Sequence, residues 1–181
     1  PAVFYHRFFH GQTVLDIGMV GHVIENSSKS NWRHDCIRNE ASRTVGIDIV
    51  KDAVLALQQN GYDVRLVDAT SDVDIGERFD RVALGDVIEH VENPVSLLGF
   101  ASRHLAENGL IVCTTPNPLF YENALSSIRN GTLIANAEHI SWITPTNAVE
   151  LANRADLSLV AVHHYTGSGN SIFRKTLISI L

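Results

Sequence analysis

Cysteine is scarce in this chain: Cys36 and Cys113 are the only two in 181 residues. Two cysteines cannot build the multi-bridge framework of a small secreted domain. Cys113 continues the apolar run Leu110–Ile111–Val112, where a small buried side chain is the ordinary role of a free thiol. A reducing, cytoplasmic setting is therefore expected. Long hydrophobic runs are missing too. None approaches the ~18 residues that span a bilayer, and no membrane partner is expected. The first ten residues, Pro1 to His10, lack the basic-then-apolar order of a secretory leader. Positive charge is the minority sign, with 14 Lys and Arg against 20 Asp and Glu and a formal net charge of −6. That balance repels phosphate at long range and argues against a nucleic-acid or anionic-membrane partner.

What remains is ordinary globular composition, 45% apolar and 19% charged, with 12 Gly and 5 Pro. Disorder, collagen and a disulfide miniprotein are excluded. With no repeat, linker or low-complexity tract, residues 1–181 are expected to form a single domain with one sizeable core.

Short apolar runs alternate with longer helical patterns. Strands are expected at Thr13–Ile17, Arg43–Ile47, Asp63–Val67, Asp80–Leu84, Leu110–Thr114 and Leu157–Tyr165. Ile172–Leu181 suits a seventh, antiparallel strand, with a helix as the alternative. Helical spacing marks Trp32–Asn39, Lys51–Gln59, the stretch opened by Pro94 and closed by Asn108–Gly109, part of Leu119–Asn136, and the segment after Thr144. Thr166–Asn170 is expected to be a turn. Near-continuous apolar strands alternating with helices predict an α/β fold, a mostly parallel seven-stranded sheet covered on both faces. Right-handed crossovers then bring the strand C-termini to one edge, where ligands bind. Four strands end on or beside a polar or glycine residue: Gly18, Asp48, Asp68 and Asp86.

The first strand runs into Asp16–Ile17–Gly18–Met19–Val20–Gly21, where glycine allows a sharp turn and a close approach to backbone. About thirty positions on, Asp48 can accept both hydroxyls of a ribose, and Asp68 can accept from an exocyclic amine. Helix capping is the competing role for both carboxylates. The order fits an adenosine laid across the sheet edge. A nicotinamide-dinucleotide fingerprint fits poorly, because the third glycine is missing and Asp16 stands at a usually apolar position.

The motifs Val-Leu-Asp-Ile-Gly at 14–18, Val-Gly-Ile-Asp-Ile at 45–49 and Leu-Val-Asp-Ala at 66–69 recur in a fixed order. They are followed by Phe-Asp-Arg-Val at 79–82, Asp-Val-Ile-Glu-His-Val at 86–91 and Asn-Gly-Leu-Ile-Val-Cys-Thr-Thr-Pro-Asn-Pro at 108–118. With these motifs the chain resembles the class I S-adenosylmethionine-dependent methyltransferases from Thr13 to Tyr165. The resemblance implies a Rossmann-like fold, S-adenosylmethionine as cofactor, and methyl transfer to oxygen or nitrogen of a small-molecule or glycan-like acceptor. By position, Asp16 and Gly18, with Gly21 beside them, would hold the methionine part. Asp48 would take the ribose, Ile49 would flank the adenine, Asp68 and Ala69 would read its amine, and Asp86 would lie near the methyl group. The family's further glycines are replaced by Val20 and His22, so the loop takes another path. A non-catalytic cofactor-binding scaffold is the alternative that this departure motivates.

Asp86, Glu89 and His90 fall at i, i+3 and i+4, one face of a helical turn. Some methyltransferases acting on catechol-like rings or RNA ends carry a similar acid-x-x-Glu-His turn that holds a divalent ion, completed in the RNA-end group by a later histidine. His139, in the lid-like stretch Glu138–Pro145, matches that place. The resemblance thus leaves His90, His139 and Glu89 as candidate catalytic residues and a divalent metal as an open alternative. His6 and His10 are expected at the surface, preceding the domain, and Asn117 in a turn.

Overall fold

A computed structural model describes residues 2–21, 32–118, 120–131, 136, 138–165 and 175–180. Its strands are β1 (Thr13–Ile17), β2 (Arg43–Asp48), β3 (Val64–Leu66), β4 (Phe79–Gly85), β5 (Leu105–Pro116), β6 (Leu159–Tyr165) and β7 (Lys175–Ile180). They form one sheet in the order β3-β2-β1-β4-β5-β7-β6. The first five run parallel, and β7 is antiparallel to both β5 and β6. The helices are α1 (Ala2–Phe9), α2 (Arg33–Glu40), α3 (Lys51–Gln59), α4 (Pro94–Arg103), α5 (Tyr121–Asn130) and α6 (Pro145–Arg154).

Side-chain alternation along β1 divides the core. Leu15 and Ile17 join Leu97, Leu98 and Phe100 of α4 and Ala148 and Ala152 of α6. Val14 faces the other way, against Phe9 of α1 and Ile37 of α2. Met19 and Val20, just beyond β1, pack with Trp32 and with Ala53, Val54 and Leu57 of α3. Burial on both faces explains why these strands read as continuous apolar runs.

Two elements differ from the sequence expectation. Residues 2–9 are helical, and Phe9 is 1% exposed, so α1 is packed into the fold instead of preceding it. The helix opened by Pro94 ends at Arg103, short of Asn108–Gly109. Its cap is the buried His104, whose Nδ1 donates to the Phe100 carbonyl at 2.8 Å while Nε2 accepts from the Ile75 N–H at 3.1 Å. Asn108, at φ 60, and Gly109 belong to β5, where the register with β4 slips between Phe79↔Leu105 and Arg81↔Leu110. Residues 175–180 form β7, antiparallel to its neighbours, the strand and not the helix expected as the alternative. The expected turn at 166–170 lies outside the described residues. No helix among the described residues is long and apolar enough to cross a membrane.

Candidate active site

A cleft of about 460 Å³ opens at the C-terminal edge of β1, β2 and β3. Its lining includes Gly18, Asp48, Ile49, Asp68, Ala69 and His90, which brings together six of the residues picked from sequence. Ile17, Ile47, Val67 and Leu97 supply apolar surface. Ile49 is 69% exposed, an isoleucine with its face open to a ligand.

Asp48 is buried, and its carboxylate is already oriented. Oδ2 accepts the Val20 N–H at 2.9 Å and Oδ1 accepts the Val50 N–H at 3.0 Å. Each oxygen keeps a second lone pair. Asp68 accepts the N–H and the hydroxyl of Thr70 through Oδ1, at 2.8 and 2.6 Å. Those bonds hold its carboxyl below the ordinary carboxylate value. No helix follows Asp68, so helix capping does not account for it.

The changed glycine loop is accommodated inward. The Val20 side chain is buried in the core beneath α3, and the Trp32 indole N–H donates to the Met19 carbonyl at 2.8 Å. His22 lies outside the described residues. Gly21, exposed at φ 70, is not part of the cleft lining.

Asp16 is corrected by the structure. It shares the face of Val14, opposite to Ile17, and is completely buried under α2. Its Oδ1 accepts from Arg33 Nη2 at 3.1 Å and its Oδ2 pairs with His34 Nδ1 at 2.8 Å. Burial pushes the carboxyl up, but Arg33 and His34 outweigh it and hold Asp16 below its ordinary value. The strand pleat, not recognised from the motif alone, points this carboxylate away from the cleft. Gly46, opposite Asp16 in β2, leaves room for the His34 ring, since a Cβ there would lie 2.8 Å from His34 Cε1.

Arg33, which sequence reasoning did not single out, is Asp16's main charge partner. Its Nη2 also donates to the carbonyls of Gly18 at 2.8 Å and Ile17 at 3.3 Å, and its Nη1 donates to the Gly85 carbonyl. One guanidinium thus ties the end of β1 to the end of β4 and neutralises Asp16 beneath them. Gly85 permits this contact, because a Cβ there would collide with the guanidinium. The signal available in sequence was a charge, Arg33, within a helix that follows a strand-end aspartate.

Gly18 has two separate requirements. Its φ is 67, and a Cβ would run into the Val87 side chain. Gly18→Ala is therefore expected to lose about 1–3 kcal/mol of stability, read from urea unfolding. An unchanged midpoint would show that the loop relaxes freely.

Beyond β4, Asp86 adopts φ 56. Its N–H donates to the Thr114 carbonyl at 2.8 Å and its Oδ1 accepts from the Thr114 hydroxyl at 3.2 Å. A left-handed aspartate is uncommon and locally strained. Asp86 is not among the residues that line the cleft. The turn that follows positions Glu89, 1% exposed, with Oε2 accepting from the Thr115 hydroxyl at 3.1 Å. The Glu89 carbonyl accepts the N–H groups of Ile140 and Ser141 at 3.0 and 3.3 Å. That pairing docks the segment carrying His139 onto the turn. The rings of His90 and His139 meet edge to face, with centroids 4.7 Å apart. Ligand atoms of Glu89, His90 and His139 all lie within 4.8 Å of one another. His90 Nδ1 lies 3.1 Å from the Glu138 carbonyl. A carbonyl only accepts, so the proton sits on Nδ1 and Nε2 of the neutral ring carries the lone pair.

Comparison with known proteins gives the family and the fold. A family described as "Methyltransferase domain" matches residues 4–162, and the chain belongs to that family, among the class I S-adenosylmethionine-dependent methyltransferases. A ubiquinone biosynthesis O-methyltransferase of Ruegeria sp. is 27% identical, aligned over 84% of this chain and 62% of its own length. One of Cereibacter sphaeroides is 31% identical over 60% of this chain and 43% of its own. The chain spans about half the length of the curated relatives it matches. Among solved structures, an S-adenosylmethionine-dependent methyltransferase of Archaeoglobus fulgidus superposes with a TM-score of 0.71 at 14% identity, covering 98% of this chain and 88% of that one. At that identity the likeness speaks for the fold, which is Rossmann-like α/β.

Proposed function

We propose that this chain binds S-adenosylmethionine in the cleft and transfers its methyl group to an oxygen or nitrogen of a small-molecule acceptor. The observation that carries the reading is the joint placement of Asp48, Ile49, Asp68 and Ala69 along one wall, with His90 on the same cleft. Two carboxylates spaced along successive strand ends suit a ribose and an adenine amine. The printed names of the relatives, ubiquinone biosynthesis O-methyltransferases, favour oxygen as the acceptor atom.

When bound, S-adenosylmethionine supplies an electrophilic methyl group on a sulfonium with a good leaving group. The protein's tasks are alignment, exclusion of water and removal of the acceptor proton. Asp48 and Asp68 fix the adenosine end. Arg33 holds the β1 and β4 ends at a set spacing, and Asp16 acts through Arg33 as a positioning residue. His90 Nε2 accepts the acceptor's proton, with His139 against its ring and Glu89 anchoring the segment that carries His139. The same three side chains, one carboxylate and two imidazoles, also fit a divalent ion of the zinc class better than magnesium. An ion held by them would acidify the acceptor hydroxyl.

The reading is tested by following methyl transfer from labelled S-adenosylmethionine to catechol and to an amino sugar, before and after chelator treatment. Label in either acceptor is the expected result. Cofactor binding without transfer to any acceptor would favour the scaffold alternative instead. Asp48→Ala is expected to raise the KM for S-adenosylmethionine at least about tenfold, the loss of charge-assisted hydrogen bonds worth ~1.5–3 kcal/mol, with kcat changed much less. An equal KM in the variant would remove Asp48 from the cofactor site.

A further inference from the structure

On the opposite side of the fold from this chemistry, α1 and the last turn of α2 place three donor side chains together. His6 and His10 stand at i and i+4 in and just after α1, the spacing that stacks two side chains on one helix face. Their rings lie 4.3 Å apart by centroids. Both Nδ1 atoms point at one carboxylate oxygen, Glu40 Oε2, at 2.9 Å from His6 and 3.3 Å from His10. The ligand atoms of all three lie within 4.8 Å of each other.

The backbone beneath is fixed. Phe9 is buried against Ile37 of α2 and Val14 of β1. The Gly11 N–H donates to the Glu40 carbonyl at 2.9 Å. The donors are therefore held by packed elements, not by a loose loop. Glu40 also closes α2 at its C-terminal end, where the helix dipole already favours a cation.

We propose that His6, His10 and Glu40 form a surface site for a divalent transition-metal ion of the zinc class, which fastens α1 to the C-terminal turn of α2. Zinc bonds of ~2.0–2.2 Å in tetrahedral array separate neighbouring ligand atoms by roughly 3.3 Å. The observed 2.9 and 3.3 Å spacings lie close to that value. Two imidazoles and one carboxylate select zinc, nickel or copper over magnesium and calcium. The histidine side chains are 62% and 66% exposed, which leaves the remaining coordination position to water. On binding, the ion takes the place of the two Nδ1–H donors, and each neutral imidazole carries its proton on Nε2 instead.

The test is calorimetric titration of the full chain with zinc chloride, alongside magnesium chloride. Four proteins are compared: the native sequence, the cleft variant His90→Ala/His139→Ala, which removes the separate cluster, and two proteins that add to that cleft variant either Glu40→Ala or the double change His6→Ala/His10→Ala. A micromolar zinc isotherm is expected in the native chain and in the cleft variant. It should weaken at least about tenfold, ~1.4 kcal/mol, when Glu40→Ala is added to the cleft variant and vanish when His6→Ala/His10→Ala is added. Zinc should also raise the thermal midpoint of the cleft variant and leave it unmoved once the His6/His10 change is added. Absence of zinc binding to the cleft variant overturns the proposal, and so does an isotherm there that survives removal of both His6 and His10. Because both histidines are exposed, far-UV circular dichroism is expected to show the protein lacking them folded, and His10→Asn provides a milder second variant.

Discussion

Asp16→Ala should lower the stability of the fold by about 3–5 kcal/mol, the cost of breaking a buried ion pair and leaving its partner uncompensated. Asp16 and His34 are completely buried, and Arg33 contacts Asp16, the Gly18 carbonyl and the Gly85 carbonyl at once. Removing the carboxylate leaves His34 facing a void beside Gly46 and a guanidinium whose remaining hydrogen bonds among the described residues go to neutral carbonyls, with the Asp86 charge nearby. Urea unfolding reads the loss as a lower midpoint at constant slope. A loss under about 1 kcal/mol would mean that water enters and solvates the network.

The same network sets an acid limit. The Asp16 carboxyl lies below its ordinary value in the fold because Arg33 and His34 outweigh its burial. Its stabilising contribution is therefore complete above the unfolded carboxylate value of about 3.9 and fades as the pH falls toward the folded value. Asp16→Asn, which cannot titrate, should flatten the part of the acid-unfolding curve that this group supplies. An unchanged curve would assign acid sensitivity to other carboxylates.

His90→Gln should reduce kcat by about 10²–10⁴, the usual span for removing a general base, while the KM for S-adenosylmethionine moves far less. Glutamine can keep the bond to the Glu138 carbonyl made by His90 Nδ1 but offers no basic nitrogen. A variant with native kcat would exclude His90 as the base. A variant with normal kcat in added zinc alone would assign it to metal binding.

Most of the architecture could be read from the chain because strand ends and helix starts are chemically marked. Asp48, Asp68, Pro94 and Thr144 each stand where a boundary was expected, and the cleft gathers Asp48, Ile49, Asp68, Ala69 and Gly18. What was not legible depends on three-dimensional facing. Asp16 belongs to the right strand end, but the two-residue pleat turns its carboxylate under α2. Arg33 is distant from the motif in sequence and reaches it only through the return of α2 over β1. Asn108–Gly109 carries the signature of a helix stop, yet a buried cap at His104 ends α4 earlier and the pair becomes an irregularity in β5. The helix at 2–9 was marked by Phe4, Tyr5, Phe8 and Phe9 at helical spacing, a signal hidden by its position at the start of the chain.

The most direct measurement is calorimetric titration of the native chain with S-adenosylhomocysteine and S-adenosylmethionine, repeated with Asp48→Ala. The account predicts one binding site of micromolar affinity for each ligand, weakened at least about tenfold, ~1.4 kcal/mol, by the substitution. No heat with either ligand, from a chain shown to be folded, would contradict the assignment of the cleft.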